Sequence, residues 1–236
     1  WEDTLTHFDQ ALRSGVSAAV FTHVSNVFGY ILPVEEMAAL CREKGVPFIV
    51  DAAQSAGIVE IDLRRDPVDF LCVPGHKGLY GPQGCGIMVV SGRFPTLKTL
   101  VEGGSGIHSL DPEMPSDLPE RFEAGTLPTP AIAGLSEGIN FVQKLGVRTI
   151  YEHECALWKR LFTDLRSMKD VRIYEDTPGA ILLFNVDGFS PAHVAAELNR
   201  AGICVRSGLH CAPLAHKTLG TGDNGAVRVS FGIMNT

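Results

Sequence analysis

The sequence predicts an α/β fold, and three observations carry that expectation. Apolar runs of strand length recur from "SAAVFTHVS" to "CGIMVVS". An amphipathic helical pattern, "PVEEMAALCREKG", lies between two of them and stops at Gly45. Strand, helix and strand in that order make the βαβ unit of a sheet covered by helices.

Bulk properties narrow the class. The 236 residues suffice for one large α/β domain or two modest ones. With 45% hydrophobic and 20% charged residues the composition is that of an ordinary globular protein. The net charge of −7, with no basic run, argues against a nucleic-acid binder. There is no apolar stretch of the roughly 18 residues a membrane span needs, so no membrane partner is expected. The polar, amphipathic start "WEDTLTHFDQAL" is unlike a signal peptide. Trp1 rather than Met opens the chain and "SFGIMNT" ends it without a closing element, so it reads as a piece of a longer protein. The six cysteines include no C-x-x-C pair, which argues against a zinc ribbon, and their scatter suits a reducing, cytoplasmic compartment. Cys41, Cys72, Cys155 and Cys204 fall in apolar patterns and are expected in the core.

Taken in order, "SAAVFTHVS", bounded by Gly15 and Ser25, predicts a buried strand. The helix that follows places Val34, Met37, Ala38 and Cys41 on one face. "VPFIVDAAQS", "VDFLCVPG" and "CGIMVVS" predict three further strands. The polar stretch from Glu102 to Pro130 is long enough to be functional or an arm to another subunit. Helical patterns over Ala131 to Leu145 and Arg148 to Met168 lead into a second unit. There "VRIYED", "AILLFNVDG", "ICVRSG" and "AVRVSFG" predict strands, and "SPAHVAAELNRAG" a helix with Ser190 as its cap and Pro191 in its first turn. The expected division is an α/β unit over residues 1–140 and a small α+β unit over 141–236.

Two residues suggest chemistry. Asp51 closes the run "FIV", at the strand end where open α/β sheets place ligands, although an aspartate there also serves as a cap for the next turn. Lys77 lies in "VPGHKGLYGPQGCG", among glycines and prolines, although a solvated surface lysine would look similar. Together they suit pyridoxal 5′-phosphate. The amine would join the cofactor aldehyde as a Schiff base, and the carboxylate would keep the ring nitrogen protonated. The small residues around Lys77 would let the chain pass close to the cofactor.

"THVSNVFGYILPVEEM", "VDAAQSAG", "GHKGLYGPQGCG", "RFEAGT", "VRSGLHCAPLAHKTLGT" and "VRVSFGIMNT" resemble the class V aminotransferase family, most closely its cysteine desulfurase and selenocysteine lyase branch. The resemblance runs over nearly the whole chain. It implies a fold-type I pyridoxal phosphate enzyme, usually a homodimer with its site at the interface. By resemblance Lys77 is the Schiff-base lysine, Asp51 the pyridinium partner, and Gln54 a hydrogen-bond partner of the cofactor's phenolic oxygen. His76 is a phosphate contact, and Thr126 a phosphate contact reaching in from the other subunit. Asn26 and Arg228 hold the substrate carboxylate, and Cys211 forms the persulfide. The implied reaction converts L-cysteine to L-alanine and passes sulfur toward an acceptor protein. Selenocysteine cleavage, transamination and a catalytically incomplete fragment are the alternatives.

The chain departs from the family pattern in several places. Pro74 stands where relatives often carry a phosphate-contacting serine, and "GTLPT" replaces the usual "GTPNT". The resemblance also implies an upstream phosphate-binding segment with a ring-stacking histidine, and a last helix, both expected to lie outside these 236 residues. Other residues have plain structural readings. His23 is expected to satisfy backbone at a strand end, Cys85 to pack, and Arg228 could face the surface of a half-buried strand. His210 and His216 flank Cys211 without a further ligand cluster, so no metal is expected. Cys211 sits in a loop before a helical pattern that starts around Pro213, where unpaired backbone N–H groups favour a thiolate, and Arg206 and His210 could add positive charge.

Overall fold

A computed structural model describes residues 1–94, 97–108 and 110–236. It contains two four-stranded sheets. The first is built from β1 (Ala19–Thr22), β2 (Phe48–Asp51), β3 (Phe70–Pro74) and β4 (Gly86–Val90), in that spatial order. The first three strands run parallel and β4 returns antiparallel, with Pro74 opposite Gly86. Helix α1 (Glu2–Arg13) brings Phe8 edge-on to Phe21 at a centroid distance of 5.1 Å. Helix α2 (Val34–Glu43) buries Val34, Met37, Ala38 and Cys41 at the spacing read from the sequence. Met37 and Phe48 are fully buried, each contributing about 2 kcal/mol over an exposed position.

Asp69 pins this sheet from within. Its carboxylate accepts hydrogen bonds from the Phe48 N–H (2.9 Å) and the Ser91 hydroxyl (3.1 Å), and pairs with the Arg93 guanidinium at 3.0 Å. One buried charge thereby ties the segments flanking β2, β3 and β4.

Helices α3 (Thr129–Leu145) and α4 (Val147–Arg166) join the two sheets, with Gly146 turning between them at φ 84°. The second sheet is antiparallel, in the order β5 (Val171–Ile173), β6 (Ile181–Val186), β8 (Ala226–Ser230), β7 (Arg206–Gly208). Trp158 of α4 is buried against it and donates its indole N–H to the Ile181 carbonyl at 2.9 Å. Helix α5 (Pro191–Arg200) starts as the sequence predicts: the Ser190 hydroxyl accepts from the His193 N–H at 3.2 Å, and Pro191 fills the first position. Helix α6 (Pro213–Leu219) follows β7.

The strand predicted from "ICVRSG" is cut to its last three residues. The Ile203 N–H is taken by the Leu198 carbonyl at the end of α5, so it is not free to enter the ladder. Cys204 is correspondingly exposed, not in the core, and Cys72 and Cys155 are only half-buried. Val27 and Phe28, just after β1, pack on Leu183 and Ala226 of the second sheet. Among the described residues no helix is long and apolar enough to cross a membrane.

Candidate active site

The three parallel strands deliver their following residues to one edge of the first sheet. Asn26 lies beyond β1, Asp51 ends β2, and His76 and Lys77 follow β3. That edge is where an α/β sheet leaves room for a ligand. Asp51, His76 and Lys77 line one cleft of about 660 Å³, together with Cys72 and Met88. Asp51 serves both readings left open by the sequence. One carboxylate oxygen accepts from the Ala53 N–H at 2.8 Å, capping the turn, and the side chain still faces the cleft.

The lysine loop is held by its glycines. A Cβ on Gly57 would collide with the Gly78 carbonyl oxygen, and a Cβ on Gly78 with the Ala56 carbonyl oxygen. Gly75 and Gly81 press on Leu135 of α3 in the same manner. The glycines therefore serve close approach of protein to protein. They clamp the loop between the 52–59 turn and α3, with Lys77 and His76 exposed at its tip.

A second cluster lies where the two sheets meet. Arg228 of β8 donates through Nη1 to the Asn26 carbonyl oxygen, and the Asn26 side-chain amide donates to the His210 carbonyl oxygen, both at 2.7 Å. Arg228 is half-buried rather than surface-facing, and its Nε is buried without a hydrogen-bond partner. Burial, and then the like charge of Arg206 directly opposite it across the β7–β8 ladder, lowers its pKa. Cys211 is exposed and close enough for its charge to act on Arg228. The turn presenting Cys211 is unusual: His210 (φ 50°) and Cys211 (φ 63°) are consecutive non-glycine residues in the left-handed region. The expected positive charge from His210 is not supplied. Burial pushes its pKa down to about 4, so the ring is neutral near pH 7.

Of the residues predicted from sequence, the structure groups Asp51, His76 and Lys77 in the cleft and Asn26, Arg228 and the Cys211 turn at the sheet junction. Gln54 is half-buried and Thr126 exposed, and neither lines the cleft. His23 is buried, yet its Nδ1 has no partner, so it does not satisfy backbone as expected. Sequence reasoning missed Thr221, and treated His216 only as a possible metal ligand. His216 instead bonds to His210 and Thr221. The residues present fit pyridoxal phosphate: an exposed amine without an ion-pair partner among the described residues and a cleft-facing carboxylate share one cleft of suitable size.

The architecture is that of the fold-type I enzymes. The chain superimposes on the apo cysteine desulfurase of Thermococcus onnurineus with a TM-score of 0.87 at 34% identity, covering 98% of this chain and 59% of that one. It belongs to the aminotransferase class-V family, which matches residues 1–236. A probable cysteine desulfurase of Methanothermobacter thermautotrophicus is 37% identical over 235 residues, 97% of this chain and 59% of the relative. A cysteine desulfurase of Haloferax volcanii is 30% identical over 239 residues, 98% of this chain and 55% of the relative. The chain thus spans little more than half the length of the curated relatives it matches.

Proposed function

We propose that this chain carries the lysine, the aspartate and the sulfur-accepting cysteine of a pyridoxal-phosphate-dependent cysteine desulfurase. The observation that carries this reading is the Cys211 turn. It presents an exposed thiol beside Arg228 and Asn26, groups suited to hold an amino-acid carboxylate. A transaminase has no use for a thiol at that place. The names of the relatives at 30–37% identity support the same reading.

Pyridoxal phosphate, when bound, supplies the electron sink for the substrate α-carbon. Lys77 would hold the cofactor covalently, Asp51 would keep its ring nitrogen protonated, and His76 would contact its phosphate. Gln54 would reach its phenolic oxygen from the 52–59 turn. The Arg228 guanidinium would take the carboxylate of L-cysteine, with Asn26 fixing its direction. The Cys211 sulfur then attacks the substrate sulfur. An S–S bond forms, the substrate C–S bond breaks with its electron pair retained on carbon, and protons complete L-alanine. Cys211 is left as a persulfide, its sulfur available to an acceptor protein in a cytoplasmic setting. Thr126, exposed and away from the cleft, would serve the cofactor phosphate of a second copy in a homodimer.

Two substitutions in the purified protein test this. Lys77→Ala should abolish fixation of the cofactor by borohydride. Cys211→Ala should still bind pyridoxal phosphate but release little alanine from L-cysteine and form no persulfide detectable by mass spectrometry. Alanine production at the wild-type rate by Cys211→Ala would refute the desulfurase reading.

A further inference from the structure

The turn carrying Cys211 is backed by a buried chain of hydrogen bonds that the proposed reaction does not use. His210 Nε2 lies 3.2 Å from the Arg206 carbonyl oxygen. A carbonyl can only accept, so the neutral ring carries its proton on Nε2 and presents Nδ1 as an acceptor. The atom facing Nδ1, at 3.4 Å, is Nε2 of His216, which must then be the donor. His216 Nδ1 is left as an acceptor, and the Thr221 hydroxyl donates to it at 2.7 Å in preference to the His216 carbonyl oxygen at 3.4 Å. A single carbonyl thereby fixes the direction of every proton in the chain.

Both rings are buried, His210 to 4% and His216 to 1% exposure, with Phe28 against His216. The charged and titratable groups acting on His210 are Arg228 of β8, His216 of α6 and Arg206 of β7. The Leu209 carbonyl also faces His216. With these partners the hydrogen-bond chain runs through two neutral rings. What it holds is the residue immediately before Cys211. The His210 ring is fixed by this chain and its carbonyl by Asn26, while two successive left-handed residues strain the turn.

We propose that His216 and Thr221 are positioning residues for the Cys211 thiol, holding the 209–212 turn in place through His210. The functional weight of this rests on the reading of Cys211 as the sulfur acceptor; the ordering of the turn does not.

The test reads the turn directly. The Ala212 N–H bonds to the Leu209 carbonyl at 2.9 Å and closes the turn, so its hydrogen exchange, corrected for intrinsic rates, reports order without any cofactor. His216→Leu should lose about ten-fold in protection at pH 7, the size expected for one buried hydrogen bond. Thr221→Val should lose less, in the same direction, and covers the case in which His216→Leu fails to fold. His216→Gln, which restores a side-chain N–H toward His210 Nδ1, should retain most of the protection. In the holoenzyme, His216→Leu should lower kcat for L-cysteine about ten-fold with KM little changed. Wild-type protection in both His216→Leu and Thr221→Val, or equal loss in His216→Gln and His216→Leu, would overturn the proposal. A failure of the Cys211 reading shows separately, as undiminished alanine production by Cys211→Ala.

Discussion

Adding one methyl group at Gly78 tests whether the lysine loop is clamped as tightly as the structure indicates. The new Cβ would fall inside 3.0 Å of the Ala56 carbonyl oxygen, and 3.1 and 3.2 Å from Cγ1 and Cδ1 of Ile58. The closest obstacle is backbone, so no flexible side chain can yield. Ala56 is itself held, since its N–H bonds to the Ala52 carbonyl at 3.0 Å and its neighbour Gly57 leans on the Gly78 carbonyl. Gly78 has no positive φ, so alanine adds crowding without left-handed strain. The two backbones must part by roughly half an ångström, an overpacking cost of about 1–3 kcal/mol. For a chain of this size each kcal/mol lowers Tm by roughly 2–4 °C. Urea unfolding of wild type, Gly78→Ala and Gly92→Ala would measure it, because a Cβ on Gly92 meets nothing within 4 Å. The midpoint should drop for Gly78→Ala with the m-value unchanged, and stay within about 0.5 kcal/mol for Gly92→Ala. A further consequence follows for the proposed cofactor site: a shifted Lys77 amine weakens pyridoxal phosphate binding, whereas Gly92→Ala leaves it alone. Equal midpoints for Gly78→Ala and wild type would refute the clamp.

Two further outcomes concern buried charges. Glu175 is 5% exposed, and burial pushes its pKa up to about 8 against the pull of the Leu183 N–H that it accepts at 2.6 Å. The native state thus holds a proton that the unfolded chain releases near pH 4.5, so this contribution is complete below 4.5 and is lost as the pH rises toward 8, at about 1.4 kcal/mol per pH unit. Glu175→Gln, which keeps the acceptor for Leu183, should flatten the decline in urea midpoint from pH 6.5 to 8; an unchanged slope would show that Glu175 is ionised in the fold. Asp69→Asn removes a charge whose side chain is wholly buried and leaves the partly solvated Arg93 facing a neutral amide. The expected loss is about 2–3 kcal/mol, below that of a fully buried pair, read as a Tm decrease that Arg93→Met should at least equal, because it strands the wholly buried Asp69 carboxylate without its counter-charge.

The first sheet was legible because its strands are short apolar runs separated by glycine and a heptad-like helix, patterns that depend on near neighbours in the chain. The Ser190 cap of α5 was legible for the same reason. Strand β7 was not, since whether the Ile203 N–H joins a ladder or caps α5 depends on where the helix ends in space. Asp51 and Lys77 could be singled out as candidates because a polar residue at a strand end and a lysine among glycines stand out locally, and they do share a cleft. That those glycines also clamp the loop was not legible, because what a missing side chain avoids is visible only once Ala56, Gly78 and Leu135 are neighbours. The links of Asn26 to His210 and Arg228 span 184 and 202 residues, and no spacing rule reaches so far. Thr221 escaped attention because a lone threonine after a glycine carries no signal of its own.

Arg228 shows how the fold bears on the proposed substrate. Its guanidinium has been drawn partly out of water and set opposite Arg206, both unfavourable for a cation. One of its nitrogens, Nη1, is satisfied by the Asn26 carbonyl, but a neutral carbonyl offers no countercharge, and Nε is left buried and unpartnered. An unsatisfied buried donor costs about 1–3 kcal/mol, and more when it is charged. A core that needed only packing would place an apolar residue here, as Ala226 does two positions earlier on the same face of the strand. The unfavourable features share one remedy, an anion with planar, two-oxygen geometry, which would pair Nε, neutralise the excess positive charge and match the guanidinium fork. On the proposed reading that anion is the carboxylate of L-cysteine. On that reading substrate binding would relieve the instability stored at Arg228, beside the turn that presents the Cys211 thiol.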